Sequence, residues 1–407
     1  MSRSSNSKLP KPWPKNLRFN LASIETDRKR AGSDPLVFLI SESMKKKLRV
    51  AILFGGKSAE HEISLISARN IVEAMDKDKY EVVSIGIDKQ GRWFFDEGGL
   101  LLDPRERSHV ISRQNSDPMA VLPGTTPTPM IRTSTGRALG KVDVVFPVLH
   151  GPFGEDGTVQ GLLKLANVPF VGAGVLGSAV GMDKDVMKRL LRDAGIPVAK
   201  FLVFDRSEIR KINFAGVKRA LRSPFFVKPA NLGSSVGISK VRTNRQFRSA
   251  LKEAFLYDNK IVIEENIPGR EIECSVLGND NPIASLPGEI ITHHEFYSYD
   301  AKYLNEKGAQ LVIPAGLSKS IVKEVQEMAV ATFKTLGCEG MARVDFFLRD
   351  NRELFINEIN TIPGFTKISM YPKLWEASGI PYSKLIDRLI QLALERFRRE
   401  KNLRRSI

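Results

Sequence analysis

Short apolar runs recur along the chain between longer mixed stretches. Runs rich in Val, Ile, Leu and Phe at 48–54, 80–88, 142–149, 198–204 and 225–228 predict strands, with shorter ones at 91–95 and 271–277. Segments 62–75, 158–166, 178–194, 318–336 and 382–399 read as helices. Strand and helix alternate up to residue 178, where a strand at 168–172 closes a first α/β unit. The pattern changes at 342–348 and 353–359, where acids, an amide and an arginine interrupt apolar strands. Arg349-Asp350-Asn351-Arg352 between them is turn chemistry, so the pair reads as a β-hairpin. With Asp350 and Asn351 as a two-residue loop, paired residue numbers have a constant sum, so Arg343 faces Glu358 and Asp345 faces Ile356. Side chains alternate along strands, so Arg343, Asp345, Glu358 and Asn360 emerge on one side.

Carboxylates held close together resist ionising unless a cation or strong donors intervene. Asp, Glu and Asn oxygens suit Mg²⁺, which takes one or two protein carboxylates and fills its shell with water and phosphate oxygens. A solvated polar face on an ordinary hairpin is the other reading of this motif alone.

The strand at 48–54 ends at Gly55-Gly56-Lys57-Ser58, which matches neither a Walker A loop nor the GxGxxG spacing. His61-Glu62-Ile63-Ser64 follows at a strand-to-helix edge, where open α/β sheets bind ligands. Glu62 reads there either as a ligand carboxylate or as a partner of the helix dipole. Residues 229–238, small and flanked by strands, let backbone N–H groups approach phosphate, and Lys228 precedes them. The stretch 260–271 fits an adenine edge and a ribose hydroxyl, or a plain interdomain linker. Residues 288–313 lack periodicity and read as a lid, with His293 and His294 as solvated loop residues. Residues 96–140 form an irregular insertion with one hairpin.

Composition changes this picture little. Hydrophobic content of 42% and charged content of 27% are ordinary for a soluble globular protein. No apolar run approaches a membrane span. Cys274 and Cys338 lie far apart, as reduced thiols of a cytosolic protein do. Of the net charge of +16, residues 1–49 hold +8 and residues 395–407 hold +4, leaving the body close to neutral. Residues 1–47 form a basic, Ser- and Pro-containing extension predicted to be disordered. A transit peptide would carry fewer acids, and Met44 before three lysines offers an alternative start.

Several separated motifs recur in order: Gly55-Gly56 with His61-Glu62-Ile63-Ser64, His150-Gly151 with Gly154-Glu155-Asp156-Gly157, Met182-Asp183-Lys184, and Lys228-Pro229 with Gly233-Ser234-Ser235-Val236-Gly237. Tyr297-Ser298-Tyr299-Asp300-Ala301-Lys302-Tyr303, Arg343-Val344-Asp345, and Glu358-Ile359-Asn360-Thr361 with Pro363-Gly364 follow. From about residue 48 to 398 the chain thus resembles the D-alanine–D-alanine ligases of the ATP-grasp superfamily. The resemblance implies an α/β fold, α+β in its C-terminal part, with three domains. These are an N-terminal parallel α/β domain at 48–178, a central ATP-grasp subdomain at 179–265 and a C-terminal one at 266–400, the last two clamping ATP.

The implied reaction joins two D-alanines through an acyl phosphate, supplying peptidoglycan precursors in the cytoplasm. Lys184 and Lys228 would lie on the ATP phosphates, with Ser235 and Lys302 as further nucleotide contacts. Glu264, Glu265 and Ile267 would lie along the adenine, and Glu271 at the ribose. Asp345, Glu358 and Asn360 would hold two Mg²⁺ ions, with Mn²⁺ as a substitute. Glu62 would hold the first D-alanine's ammonium, with Ser234 and Tyr303 as its partners and His150 close by. Arg343 and the Gly364 N–H would stabilise the oxyanion, and Ser369 and Met370 would receive the second substrate's carboxylate. Tyr303 favours the dipeptide over an ester product. The family further implies a homodimer, with neither nucleic acid nor membrane as a partner. Two alternatives are a ligase with D-serine or D-lactate as second substrate, and a nucleotide-binding regulator without turnover.

Overall fold

The structure is a computed structural model describing residues 46–96, 102, 117–124, 128–292 and 309–404. Its three sheets lie within one compact unit, Lys47–Ile407. Strand β1 (Leu48–Gly55) is apolar from Val50 to Phe54, where both its faces are covered. Val50, Ile52 and Phe54 pack with Leu65, Ala68 and Ile71 of helix His61–Ala74 and with Leu385 and Leu389 of helix Tyr382–Lys401. The alternate residues Ala51 and Leu53 join the core that holds Val159 and Leu163 of helix Thr158–Leu165.

Around β1 lie β2 (Tyr80–Ile87), β3 (Trp93–Asp96), β4 (Asp117–Val121), β5 (Met130–Arg132) and β6 (Val144–Val148), in the order β5-β4-β3-β2-β1-β6. Only the β2-β1-β6 part is parallel. The β2–β3 link is a tight turn in which Asp88 accepts hydrogen bonds from the Gln90 and Arg92 amides, and such a turn forces antiparallel pairing. The predicted hairpin of the 96–140 insertion is β4–β5, antiparallel beside β3. The strand predicted at 168–172 reduces to a single bridge between Val145 and Phe170.

The predicted helix 178–194 is two, Val175–Met182 and Lys184–Asp193. Asp183 separates them because its side chain caps the second, accepting from the Asp185 and Val186 amides. The second sheet, β7 (Phe201–Asp205), β8 (Phe225–Pro229), β9 (Ser239–Val241) and β10 (Lys260–Glu265), runs β7-β10-β8-β9. Helices Phe214–Leu221 and Asn244–Tyr257 close its core.

The third sheet holds β11 (Arg270–Gly278), β12 (Ile283–Ala284), β13 (Gly288–Thr292), β14 (Ala309–Val312), β15 (Gly340–Arg349) and β16 (Glu353–Asn360). Its order is β14-β13-β11-β15-β16, with β12 beside β11. Ile272, Cys274, Val276, Val344 and Phe346 pack on helix Lys319–Thr335 through Val325, Ala329 and Phe333. Alternation turns Glu273 and Ser275 of β11 and Arg343 and Asp345 of β15 to the other face.

The predicted hairpin register is corrected. Asp350 and Asn351 are indeed left-handed turn residues, and the Arg352 amide donates to the Arg349 carbonyl. The ladder nevertheless pairs Arg349 with Glu353 and Phe346 with Ile356, then Asp345 with Glu358 and Arg343 with Asn360. Asn357 is the extra residue of a bulge. The four polar residues still share one face, because the third loop residue and the bulge each shift the register by one, and a shift of two keeps the alternation.

Candidate active site

A cavity of about 390 Å³ opens where the ends of β1 and β6 meet the polar face of β15–β16. His150, Lys184, Ser234, Arg343, Glu358, Asn360, Gly364, Ser369 and Met370 line it. The other predicted contacts Lys228, Ser235, Glu264, Glu265, Ile267, Glu271 and Asp345 lie outside this lining. Tyr303 and Lys302 lie outside the described residues, as does most of the predicted lid.

Glu62 is corrected by the structure. Its exposed carboxylate pairs with Lys89 at 2.6 Å and does not line the cavity. The helix starts at His61, so Glu62 sits in the first turn on the solvent side while the capping residue Glu60 still points inward. Glu60 is buried, lines the cavity and accepts a hydrogen bond from the Ser234 hydroxyl. A carboxylate directly preceding the helix, at the mouth of the Gly55-Gly56 turn, was the signal for it.

His150 is buried with Nδ1 3.0 Å from the Ile362 carbonyl. A carbonyl only accepts, so Nδ1 carries the hydrogen and Nε2 is left as an acceptor in the neutral ring. Burial lowers the ring's pKa and keeps it neutral, with the Arg343 charge acting in the same sense. Glu155, also in the cavity wall, accepts from the Gly151 amide at 2.8 Å. Burial, and next the Glu60 charge, push its carboxyl up to about 8. Its motif was visible in the sequence, but its burial was not.

The loop after β8 is held by conformations that favour small residues: Ser234 and Ser235 have φ of 53° and 60°, and Gly237 has 70°. Lys184 Nζ donates to the Leu232 carbonyl at 2.6 Å and stands 3.5 Å from Glu358. Lys228 Nζ reaches Glu264 at 3.3 Å and Asn357 Oδ1 at 3.4 Å, so the bulge aims Asn357 at this lysine. Lys188 Nζ stands 3.4 Å from the same Glu264. Burial alone would raise the Glu264 pKa, but Lys188 and Lys228 outweigh it and keep the carboxylate ionised. Its side chain is therefore committed to lysines, away from the predicted adenine contact. Glu265 likewise accepts from the Lys200 amide at 2.7 Å.

On the opposite wall Arg343 makes a bidentate pair with Asp345, both contacts 2.7 Å. Glu273, unremarked in the sequence, lies 2.9 Å from Arg343 Nε. Burial would lower the guanidinium's pKa, yet Asp345 and Glu273 hold it well above its ordinary value. Gly364 has no room for a side chain, since a Cβ there would stand 2.7 Å from Ser369 Oγ. That hydroxyl is held in turn by the Thr366 amide at 2.9 Å.

The face formed by Asp345, Glu358 and Asn360 fits a hard divalent cation. Its donors are all oxygens, Asp345 is directly opposite Glu358, and Asn360 follows on the same side. With Glu273 the row carries three negative charges against the two neighbouring cations Arg343 and Lys184. No helix among the described residues is long and apolar enough to cross a membrane.

The family model of the D-ala D-ala ligase N-terminus matches residues 49–173, and that of the D-ala D-ala ligase C-terminus matches residues 190–391. A D-alanine–D-alanine ligase of Oceanobacillus iheyensis is 53% identical over 364 residues, spanning 89% of this chain and 99% of its own. D-alanine–D-alanine ligase A of Escherichia coli K12 is 54% identical over 352 residues, spanning 86% and 97%. Among solved structures, the D-alanine-D-alanine ligase from Coxiella burnetii superposes with a TM-score of 0.78 at 43% identity, covering 87% of this chain and 96% of its own. The VanG D-Ala:D-Ser ligase from Enterococcus faecalis superposes with a TM-score of 0.77 at 38% identity, covering 86% and 100%.

Proposed function

Because the chain belongs to the D-alanine–D-alanine ligase family, we propose that it joins two D-alanines to D-alanyl-D-alanine with ATP, for peptidoglycan synthesis. The observation that carries this reading is the juxtaposition of Glu60 and Ser234 with Arg343 and Glu358 around one cavity. An ammonium-binding carboxylate thereby faces an anion-binding arginine and a cation-binding face across the space of a small amino acid.

In this reading Glu60, in place of Glu62, holds the ammonium of the first D-alanine, with Ser234 fixing the carboxylate. Lys184 and Lys228 neutralise the ATP phosphates, Ser235 adds a donor, and Lys302 belongs to the same set. Backbone of 265–267 follows the adenine, Glu264 acting through the lysines it orients, and Glu271 meets the ribose. Asp345, Glu358 and Asn360 hold two Mg²⁺ ions, replaceable by Mn²⁺, which supply charge neutralisation at the phosphates.

A carboxylate oxygen of the first D-alanine forms a bond to the γ-phosphorus as the bond to the β-phosphate oxygen breaks, giving the acyl phosphate and ADP. The neutral amine of the second D-alanine then attacks the carbonyl carbon. Arg343 and the Gly364 N–H stabilise the resulting oxyanion, where preorganised donors act most strongly. Collapse breaks the acyl carbon–oxygen bond and releases phosphate, and the attacking nitrogen loses one proton to the departing phosphate, leaving the amide. Ser369 and Met370 hold the second carboxylate, His150 borders the first substrate, and Tyr303 is assigned with Ser234 to the first substrate's site. The three-domain division at 178 and 265, a homodimer and a cytoplasmic location complete the proposal.

The test is phosphate release from Mg·ATP with single amino acids. D-alanine is expected to stimulate it, and release with another amino acid but none above background with D-alanine would sink the reading. Similarity to the Enterococcus faecalis enzyme favours a second reading, D-serine as second substrate. Product mass from an equal mixture of D-alanine and D-serine separates the two.

A further inference from the structure

The steps above leave two buried carboxylates of the cavity wall, Glu155 and Glu273, without a task, and of these Glu273 pairs across a strand with Asp345 of the cation-binding face. Glu273 on β11 lies directly across from Asp345 on β15, and Asp345 across from Glu358 on β16, so three carboxylates form one row over three strands. Like charges in adjacent cross-strand positions repel, so such a row needs cations to hold it. Glu273 is only 6% exposed, and its Oε2 stands 2.9 Å from Arg343 Nε. That nitrogen has one hydrogen, and the hydrogen points to Asp345 Oδ1 at 2.7 Å. Glu273 therefore meets the guanidinium as a charge at contact distance, while Asp345 takes both strong hydrogen bonds.

This arrangement sets two demands on Asp345. Its oxygens face the guanidinium, yet the same carboxylate belongs to the cation-binding face. Turning Asp345 toward a cation would strip a part-buried guanidinium of its bidentate partner, a destabilising change unless another carboxylate replaces it. Glu273 is already in place to do so.

We infer that Glu273 is the alternate partner of Arg343, accepting its hydrogen bonds when Asp345 turns to a divalent cation. Glu273 is thus a positioning residue that frees Asp345 and keeps Arg343 aimed at the cavity. The inference rests on the reading of Asp345 as a cation ligand.

The test is calorimetric binding of a non-hydrolysable ATP analogue to the full chain, with and without Mg²⁺. In Glu273→Gln the Mg²⁺ concentration giving half of the metal-dependent gain in affinity should rise about tenfold, as for other residues that orient metal ligands. Metal-free binding of the analogue should stay within about twofold. Glu273→Asp keeps the charge but withdraws it from Nε, and should give a smaller rise, about threefold; it also serves if the glutamine variant does not fold. In an Arg343→Met background, adding Glu273→Gln should not move the Mg²⁺ midpoint, because no guanidinium then competes for Asp345. An unchanged midpoint in a folded single variant, or an equal shift in both backgrounds, overturns the inference. A wild-type protein with no Mg²⁺-dependent gain would instead overturn the reading of Asp345 itself.

Discussion

The Ser234 hydroxyl donates a hydrogen bond to Glu60, joining the loop after β8 to the turn after β1 across 174 residues of sequence. Glu62, two residues on, faces solvent against Lys89. The two carboxylates should therefore separate cleanly in mutants. Glu60→Gln removes a buried charge facing the cavity and should lower kcat/KM for D-alanine about 100-fold, the scale of losing a charged hydrogen bond. Glu62→Gln breaks only an exposed pair and should change stability by less than about 0.5 kcal/mol and leave turnover within about twofold. Steady-state kinetics with D-alanine as the varied substrate decide this; a greater loss in the Glu62 variant would reverse the assignment.

Glu155 gives a pH prediction. Its ordinary pKa of 4.5 is raised to about 8 in the folded protein, chiefly by burial and next by the charge of Glu60. Between those values the folded state holds a proton that the unfolded state has lost, so stability falls as pH rises through this window and levels off above it. Melting temperatures of the metal-free and nucleotide-free protein should decline from about pH 5 to about pH 8, and Glu155→Gln should flatten the decline. Gln keeps an oxygen for the Gly151 amide, so an equally steep profile in the variant would assign the slope to other groups.

Much of this site was legible in the sequence because its chemistry is local. A lysine ending a strand, small residues after it, and acids inside apolar strands all reflect what backbone and charge require within a few residues. Errors arose where a single residue changes the geometry. The bulge at Asn357 shifted the ladder after Ile356, which no alternation pattern foretells. Asp183 split one helix into two because its carboxylate competes for the amides that follow it. Glu60 and Glu62 differ by which side of the helix start they occupy, and boundaries are the least certain part of a sequence reading. Glu273 was invisible for another reason: its importance depends on β11 pairing with β15, a contact between residues far apart in the chain.

Lys188 tests whether the lysine cluster is a structural pair or a set of equivalent cations. It is fully buried, 3.4 Å from Glu264, and Glu264 is shared with Lys228 at 3.3 Å. Burial lowers the Lys188 pKa, and Glu264 opposes that shift, so the pair holds together by mutual charge. Lys188→Met leaves Glu264 with Lys228 alone and should destabilise the protein by about 3 kcal/mol, because a buried charge loses a partner. Adding Glu264→Gln removes that charge and should recover most of the loss, although each change alone is destabilising. Lys228, freed from Glu264 in the double variant, keeps Asn357 as a neighbour and should still bind ATP with affinity within about fivefold of wild type. Denaturant unfolding measures the first effect and nucleotide titration the second. If the double variant is no more stable than Lys188→Met, the two residues are not coupled and the cluster has another basis.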